Sequence, residues 1–171
     1  MGEEHQVRAT IRQIRCDDYE ELARFFNDNN RPEITSRFHP FPLTAETAHR
    51  LACTTYLDHY YITVINEQIV GLCMLRGWDE GFEVPTFGVL TDHWFNGLGL
   101  GRQMTQFAIA KATKLGCRAI RLSVYASNVR AILLYESLGF KEISRESVVV
   151  AGESDARLIM TKDLENHERI A

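Results

Sequence analysis

No stretch approaches the roughly 18 apolar residues of a membrane-spanning helix, and MGEEHQVRAT at the start has no apolar segment of secretory type. Gly2 is followed by Glu3, Glu4, His5 and Gln6, so the Ser or Thr of a myristoylation signal is missing at position 6. Positive charge is not in surplus. Lys plus Arg number 19 against 23 Asp plus Glu, a formal net charge of -4, which excludes holding nucleic acid through bulk charge. Cysteine is sparse: Cys16, Cys53, Cys73 and Cys117 lie far apart, with no C-x-x-C. That spacing predicts reduced, partly buried thiols in a cytoplasmic protein. No G-x-x-x-x-G-K-[ST] occurs, so a P-loop is excluded. No repeat, low-complexity tract or long linker marks a domain boundary. What is present is ordinary: 171 residues, 45% hydrophobic and 25% charged, enough for one domain, 1–171, with its own core.

Period and punctuation predict a mixed α/β chain. Residues 6–14 alternate loosely, as a first strand does, and Asp17 and Asp18 precede a helix carrying Leu22, Phe25 and Phe26 at helical spacing. Three of the 4 prolines fall in RPEITSRFHPFPLT, which reads as a loop with extended pieces. Thr44 opens a second helix with Glu46 close behind, in the manner of an N-terminal cap. HYYITVINE and QIVGLCMLRGW form a hairpin around a polar NEQ, and a third strand is expected over 82–91. After it come a helix ending at Gly116, the strand AIRLSVYA, a helix stopped by Gly139, and two closing strands. Strand–helix–strand–helix over 82–140 implies parallel crossover units, and the later strands can pair antiparallel.

Chemistry concentrates in WFNGLGLGRQM, a glycine-rich turn between a strand and a helix. Gly97, Gly99 and Gly101 permit close backbone approach, the first helical turn offers free amides, and Arg102 adds a positive charge; phosphate suits such a place. Alone the pattern could be only a tight turn. It is not the dinucleotide fingerprint, because Arg102 occupies the place of that motif's last glycine. One strand later stands Asn128-x-x-Ala131-x-x-x-Tyr135-x-x-x-Gly139-Phe140.

Together these two segments resemble the GNAT N-acetyltransferase superfamily, whose acetyl-CoA site has a loop of form Gln/Arg-x-x-Gly-x-Gly/Ala. The loop here runs Asn96, Gly97, Leu98, Gly99, Leu100, Gly101; Asn96 replaces the usual Arg or Gln, with Arg102 close by. The match is good over 82–162 and rests mainly on element order over 1–81. The resemblance implies a mostly antiparallel central sheet with a splayed parallel strand pair, flanked by helices. It divides the domain into acceptor-side elements (1–81), an acetyl-CoA-binding core (82–140) and closing strands (141–171). It implies acetyl-CoA as co-substrate, no metal, and transfer of acetyl to a primary amine by direct attack in a ternary complex. Main-chain groups near Val89, Leu90 and Thr91 would dock the pantetheine arm, and an amide there can stabilise an oxyanion. Tyr135 is the candidate general acid, although it also reads as a core tyrosine at helical spacing with Ala131 and Leu138. Asn128 either caps its helix or bonds the coenzyme arm. Glu83, expected to open the third strand, is the candidate base; Asp92, His93 and a water chain are its rivals.

The acceptor pocket would come from RFHPFPLT, WDEGFEVP and SVVVAGESD, where Asp79, Glu80 and Glu83 would attract an ammonium group. A small-molecule amine, an amino sugar among the candidates, is expected, with neither nucleic acid nor membrane as partner. Strand edges near 143–162 could pair between subunits as a homodimer. The alternatives are a non-catalytic acyl-CoA-binding or regulatory module, and a protein N-terminal or lysine acetyltransferase. His49, Cys53 and His59 lack a fourth ligand at metal spacing, and Cys117 has no paired His.

Overall fold

A computed structural model describes residues 9–164; the readings of Gly2 and of residues 6–8 fall outside that range. Seven strands form one sheet in the order β1-β2-β3-β4-β5-β7-β6. The chain runs β1 (Thr10–Gln13), α1 (Tyr19–Asn29), α2 (Pro32–Thr35), α3 (Ala45–Cys53), β2 (His59–Ile65) and β3 (Gln68–Arg76). It continues through β4 (Thr86–Thr91), α4 (Leu100–Lys114), β5 (Ala119–Tyr125), α5 (Val129–Ser137), β6 (Lys141–Val150) and β7 (Glu153–Asp163). Every neighbouring pair is antiparallel except β4 and β5.

Both faces of the sheet are covered at its centre, and β3 records this in its alternation. Val70, Cys73 and Leu75 join a core with Met104, Ala108 and Ala112 of α4. Ile69, Leu72 and Met74 join a second core with Leu22, Phe25 and Phe26 of α1 and Leu51 of α3. The hairpin turns at Asn66 and Glu67, both at positive φ (48° and 64°), as a two-residue loop requires. Thr44 caps α3, its hydroxyl accepting the Thr47 N–H at 3.2 Å. Asp18 precedes α1 without capping it; its carboxylate instead takes both Arg12 guanidinium nitrogens at 2.7 and 2.8 Å and the Arg15 N–H at 2.7 Å.

Three expectations change. The proline-rich segment contains a short helix, α2, started by Pro32 at its first turn, where a missing N–H costs nothing. The third strand begins at Thr86, not at 82. Residues before it form a turn in which the Gly77 carbonyl accepts the Phe82 N–H at 2.8 Å. Finally, Cys16 and Cys53 form a disulfide, with Cα atoms 4.3 Å apart, while Cys73 and Cys117 are free and buried. Packing of α3 beside the turn ahead of α1 brings together two thiols 37 positions apart, a proximity that spacing could not disclose.

The site is positioned by the parallel pair. β4 and β5 share one ladder partnership, Thr86 with Arg121, next to an Arg121 N–H donated to the Pro85 carbonyl at 3.0 Å. Beyond that point the strands part, and the β5-facing backbone of β4 has no partner strand.

Candidate active site

Two cavities open at this gap and share Val89, Asn128 and Tyr135 in their walls. The larger, about 840 Å³, lies between β4, the glycine-rich turn and α5. Of the residues expected to hold the coenzyme, Val89, Thr91, Asn96, Gly97, Gly99, Leu100, Gly101, Arg102, Asn128 and Tyr135 line it. Leu90 and Leu98 do not. Leu90 points into the core of α1 and α3, as strand alternation demands, and Leu98 is exposed at the tip of the turn. Arg130, Val129 and Leu133 also line it; the sequence reading missed them, because none stands three or four positions from Tyr135 on α5.

Local chemistry explains the cradle. Gly97 and Gly99 have φ of 86° and 74°, and no atom lies within 4 Å of a Cβ built on either. They are glycine because the backbone is left-handed there. Gly101 differs: it is helical, and a Cβ would stand 3.8 Å from Leu134 Cδ2, an ordinary contact, so nothing in the fold requires glycine at that position. Gly99 is the N-cap of α4 and offers no side-chain acceptor, leaving first-turn amides available beside Arg102. Arg102 donates to Ser137 Oγ at 3.0 Å, which anchors it against α5. Open amides, two arginines and the exposed apolar rim of Val129 and Leu133 fit a phosphate-bearing ligand with an extended arm.

The smaller cavity, about 380 Å³, lies between β4, β5, the segment after α2 and the turn after β3. Tyr135 stands in the wall of both cavities. Its ring meets Phe87 and Phe140 edge-on, with centroids 6.5 and 5.8 Å away, and burial pushes its phenol up to about 12. Asn128 caps α5 through the Ala131 N–H at 3.2 Å and still lines both cavities.

The carboxylates stand elsewhere than expected. Glu83 lines neither cavity; it lies in the turn ahead of β4 with 84% of its side chain exposed, 3.9 Å from Arg118. Asp92 is buried and accepts the Trp94 N–H at 2.9 Å, while His93 Nδ1 sits 3.2 Å from Asn29 Oδ1; neither reaches a cavity. Asp79 spends its oxygens on the backbone N–H groups of Leu57 and Asp58, at 3.1 and 3.0 Å. Glu80 is the one carboxylate in the smaller cavity's wall, where Arg37, Arg76 and Arg157 also stand. Among the described residues no group of His, Cys, Asp and Glu could hold a metal ion. Burial pushes the Cys73 thiol up to about 12 and raises that of Cys117, so neither is a ready nucleophile.

A model of the acetyltransferase (GNAT) family matches residues 11–140. The chain belongs to this family. A ribosomal protein bS18-alanine N-acetyltransferase of Escherichia coli is 42% identical over 60 residues, which span 35% of this chain and 40% of that protein. A mycothiol acetyltransferase of Propionibacterium freudenreichii is 31% identical over 111 residues, 61% of this chain and 35% of that one. Each match therefore covers well under half of the relative's length. In fold, this GNAT chain is similar to a spermidine N-acetyltransferase from Vibrio cholerae solved with CoA and spermine: TM-score 0.75, 20% identity, 91% of this chain and 95% of that one. The splayed β4–β5 pair and the glycine-rich turn into α4 are thus a GNAT framework in this chain.

Proposed function

We propose that this GNAT chain transfers acetyl from acetyl-CoA to the primary amine of a small molecule, by direct attack with both substrates bound. The observation that carries the reading is the meeting of two cavities at Tyr135, one suited to a phosphate-bearing arm and one small enough for a single organic molecule. Acetyl-CoA, when bound, supplies an activated acyl group as its thioester. The turn at Gly97 to Gly101, with Arg102 and Arg130, would hold the pyrophosphate, and the unpaired edge of β4 near Val89 the pantetheine arm.

Proton traffic falls to two side chains. An ammonium of pKa near 10 must lose a proton before its nitrogen can attack. Glu80 is the carboxylate placed to take it, since Glu83 stands outside the cavity. The departing sulfur meets Tyr135. With its phenol at about 12, full proton transfer to a thiolate of ordinary pKa 8.5 would be uphill by ~5 kcal/mol. A thiolate desolvated beside that buried phenol would hold its proton more tightly too, which narrows the mismatch and suits Tyr135 to a hydrogen-bonded donor.

A second reading, acetylation of a protein N-terminus, is favoured by the local identity to the bS18-alanine enzyme. A homodimer through the free edge of β6 belongs to the proposal as well.

The test is thermal denaturation with acetyl-CoA, CoA and NAD, followed by thiol release with amines and with alanine-ended peptides. Ligand at about 100 times its Kd adds roughly 2.7 kcal/mol. Stabilisation by both CoA species but not NAD, with thiol release, supports the enzyme; binding without release on any acceptor supports a non-catalytic module. Glu80→Gln should lower kcat by about 10²-fold near neutral pH, with recovery as alkali deprotonates the amine; Glu83→Gln should not.

A further inference from the structure

The smaller cavity is cationic, the reverse of what an enzyme for simple amines or polyamines needs. Its charged wall comprises Arg37, Arg76, Arg157 and one acid, Glu80, with His39 beside them. The arginines arrive from three places: the segment after α2, the end of β3, and β7. Three guanidiniums and one carboxylate line the opening itself, with Asp58, Asp155 and Glu146 standing behind the arginines.

Arg76 is the most buried of them. It donates to the Pro40 carbonyl at 3.3 Å, and its Nε is buried without a hydrogen-bond partner. Its closest acids, Asp58 and Glu80, are both 3.9 Å away, beyond hydrogen-bond reach. Asp58 is committed elsewhere, one oxygen accepting the N–H groups of Gly77, Trp78 and Asp79 at 2.8, 2.8 and 3.2 Å. Arg37 reaches only Ser127 Oγ at 3.4 Å; Asp155 behind that serine already takes its hydroxyl at 2.6 Å. Arg157 is paired with Glu146 and is half-exposed.

Resting on the acetyltransferase reading of this cavity, we infer that the acceptor is a small zwitterion: a primary amine carrying an anionic oxyacid group, a carboxylate or a phosphonate, which Arg76 receives with Arg37 and Arg157 nearby. The planar fork of a guanidinium matches such a group in two-point hydrogen bonding. The anion then anchors the molecule and leaves its ammonium to Glu80. Phe38, Phe82, Phe87 and Met74 complete an apolar wall for the carbon skeleton.

Matched acceptors isolate the anion. Each proteinogenic amino acid with a primary amine is compared with its amide, its decarboxylated amine and its 1-aminophosphonate in a thiol-release assay, with CoA binding measured in parallel by thermal shift. At least one acid or phosphonate should exceed its amide and its decarboxylated amine by 10-fold or more in kcat/KM, chiefly through KM; which of the two oxyacids wins identifies the anion. Arg76→Gln should collapse the acid-to-amide ratio toward one. Because that ratio is taken on one preparation, loss of folded protein does not move it, and Arg157→Gln should lower it as well. If CoA binds and no anionic acceptor outpaces its neutral partner, including the case of no turnover at all, the inference is overturned. If no CoA species binds, the acetyltransferase reading itself fails.

Discussion

Asp58 and Asp79 clasp each other's backbones. Asp58 Oδ1 accepts three N–H groups from 77–79, and the two Asp79 oxygens accept the N–H groups of Leu57 and Asp58. This double tie shapes the turn that presents Glu80 and Phe82 to the smaller cavity. Removing Asp58, whose side chain is almost wholly buried, orphans three donors. Asp58→Ala should destabilise the protein by about 2–3 kcal/mol. It should also raise KM for the acceptor far more than the Kd of acetyl-CoA, since the coenzyme cavity does not touch the turn. Chemical denaturation and separate titrations of the two ligands check this; equal loss at both sites would contradict it.

Tyr135→Phe should lower kcat by about 10²-fold with little change in acetyl-CoA affinity. The pH sign follows from burial: a phenol raised to about 12 remains protonated at every pH up to 10. Alkaline loss of activity between pH 8 and 10 is therefore not expected from this residue. The stability its protonated form confers is complete below pH 10 and lost as pH rises through about 12. A wild-type activity decline centred near pH 9 that vanishes in Tyr135→Phe would refute the assignment.

Two glycines of one loop should behave oppositely toward folding. Gly99→Ala places a Cβ in a left-handed backbone and should cost about 1–2 kcal/mol. Gly101→Ala sits in helix with room for the methyl, so it should be neutral or stabilise by up to about 1 kcal/mol. Both should weaken acetyl-CoA binding, because both narrow the cradle. Melting curves with and without ligand separate the two effects.

The Cys16–Cys53 bridge closes a loop of 37 positions, for which chain entropy predicts a contribution of about 4 kcal/mol. Cys53→Ser should lower the midpoint of urea denaturation accordingly. Alkylation of denatured, unreduced protein should label Cys73 and Cys117 alone; labelling of all four thiols would show that the bridge does not form.

Local pattern carried much of this protein. Thr44 as a helix cap, the hairpin between two β-rich runs, Gly116 ending a helix, and the paired motifs around Gly99 and Tyr135 all depend on residues a few positions apart, where steric rules operate without knowledge of the fold. The splay of β4 from β5 followed from family resemblance. What tertiary structure alone decided was charge and reach. The aspartates and glutamates of WDEGFEVP look alike in sequence, yet Asp79 is consumed by backbone amides, Glu80 enters the cavity and Glu83 faces solvent beside Arg118. Arg37, Arg76 and Arg157 lie up to 120 positions apart and meet only because the segment after α2, β3 and β7 converge on one opening. Coulombic fields depend on distance in space, and no local rule converts spacing along the chain into that distance.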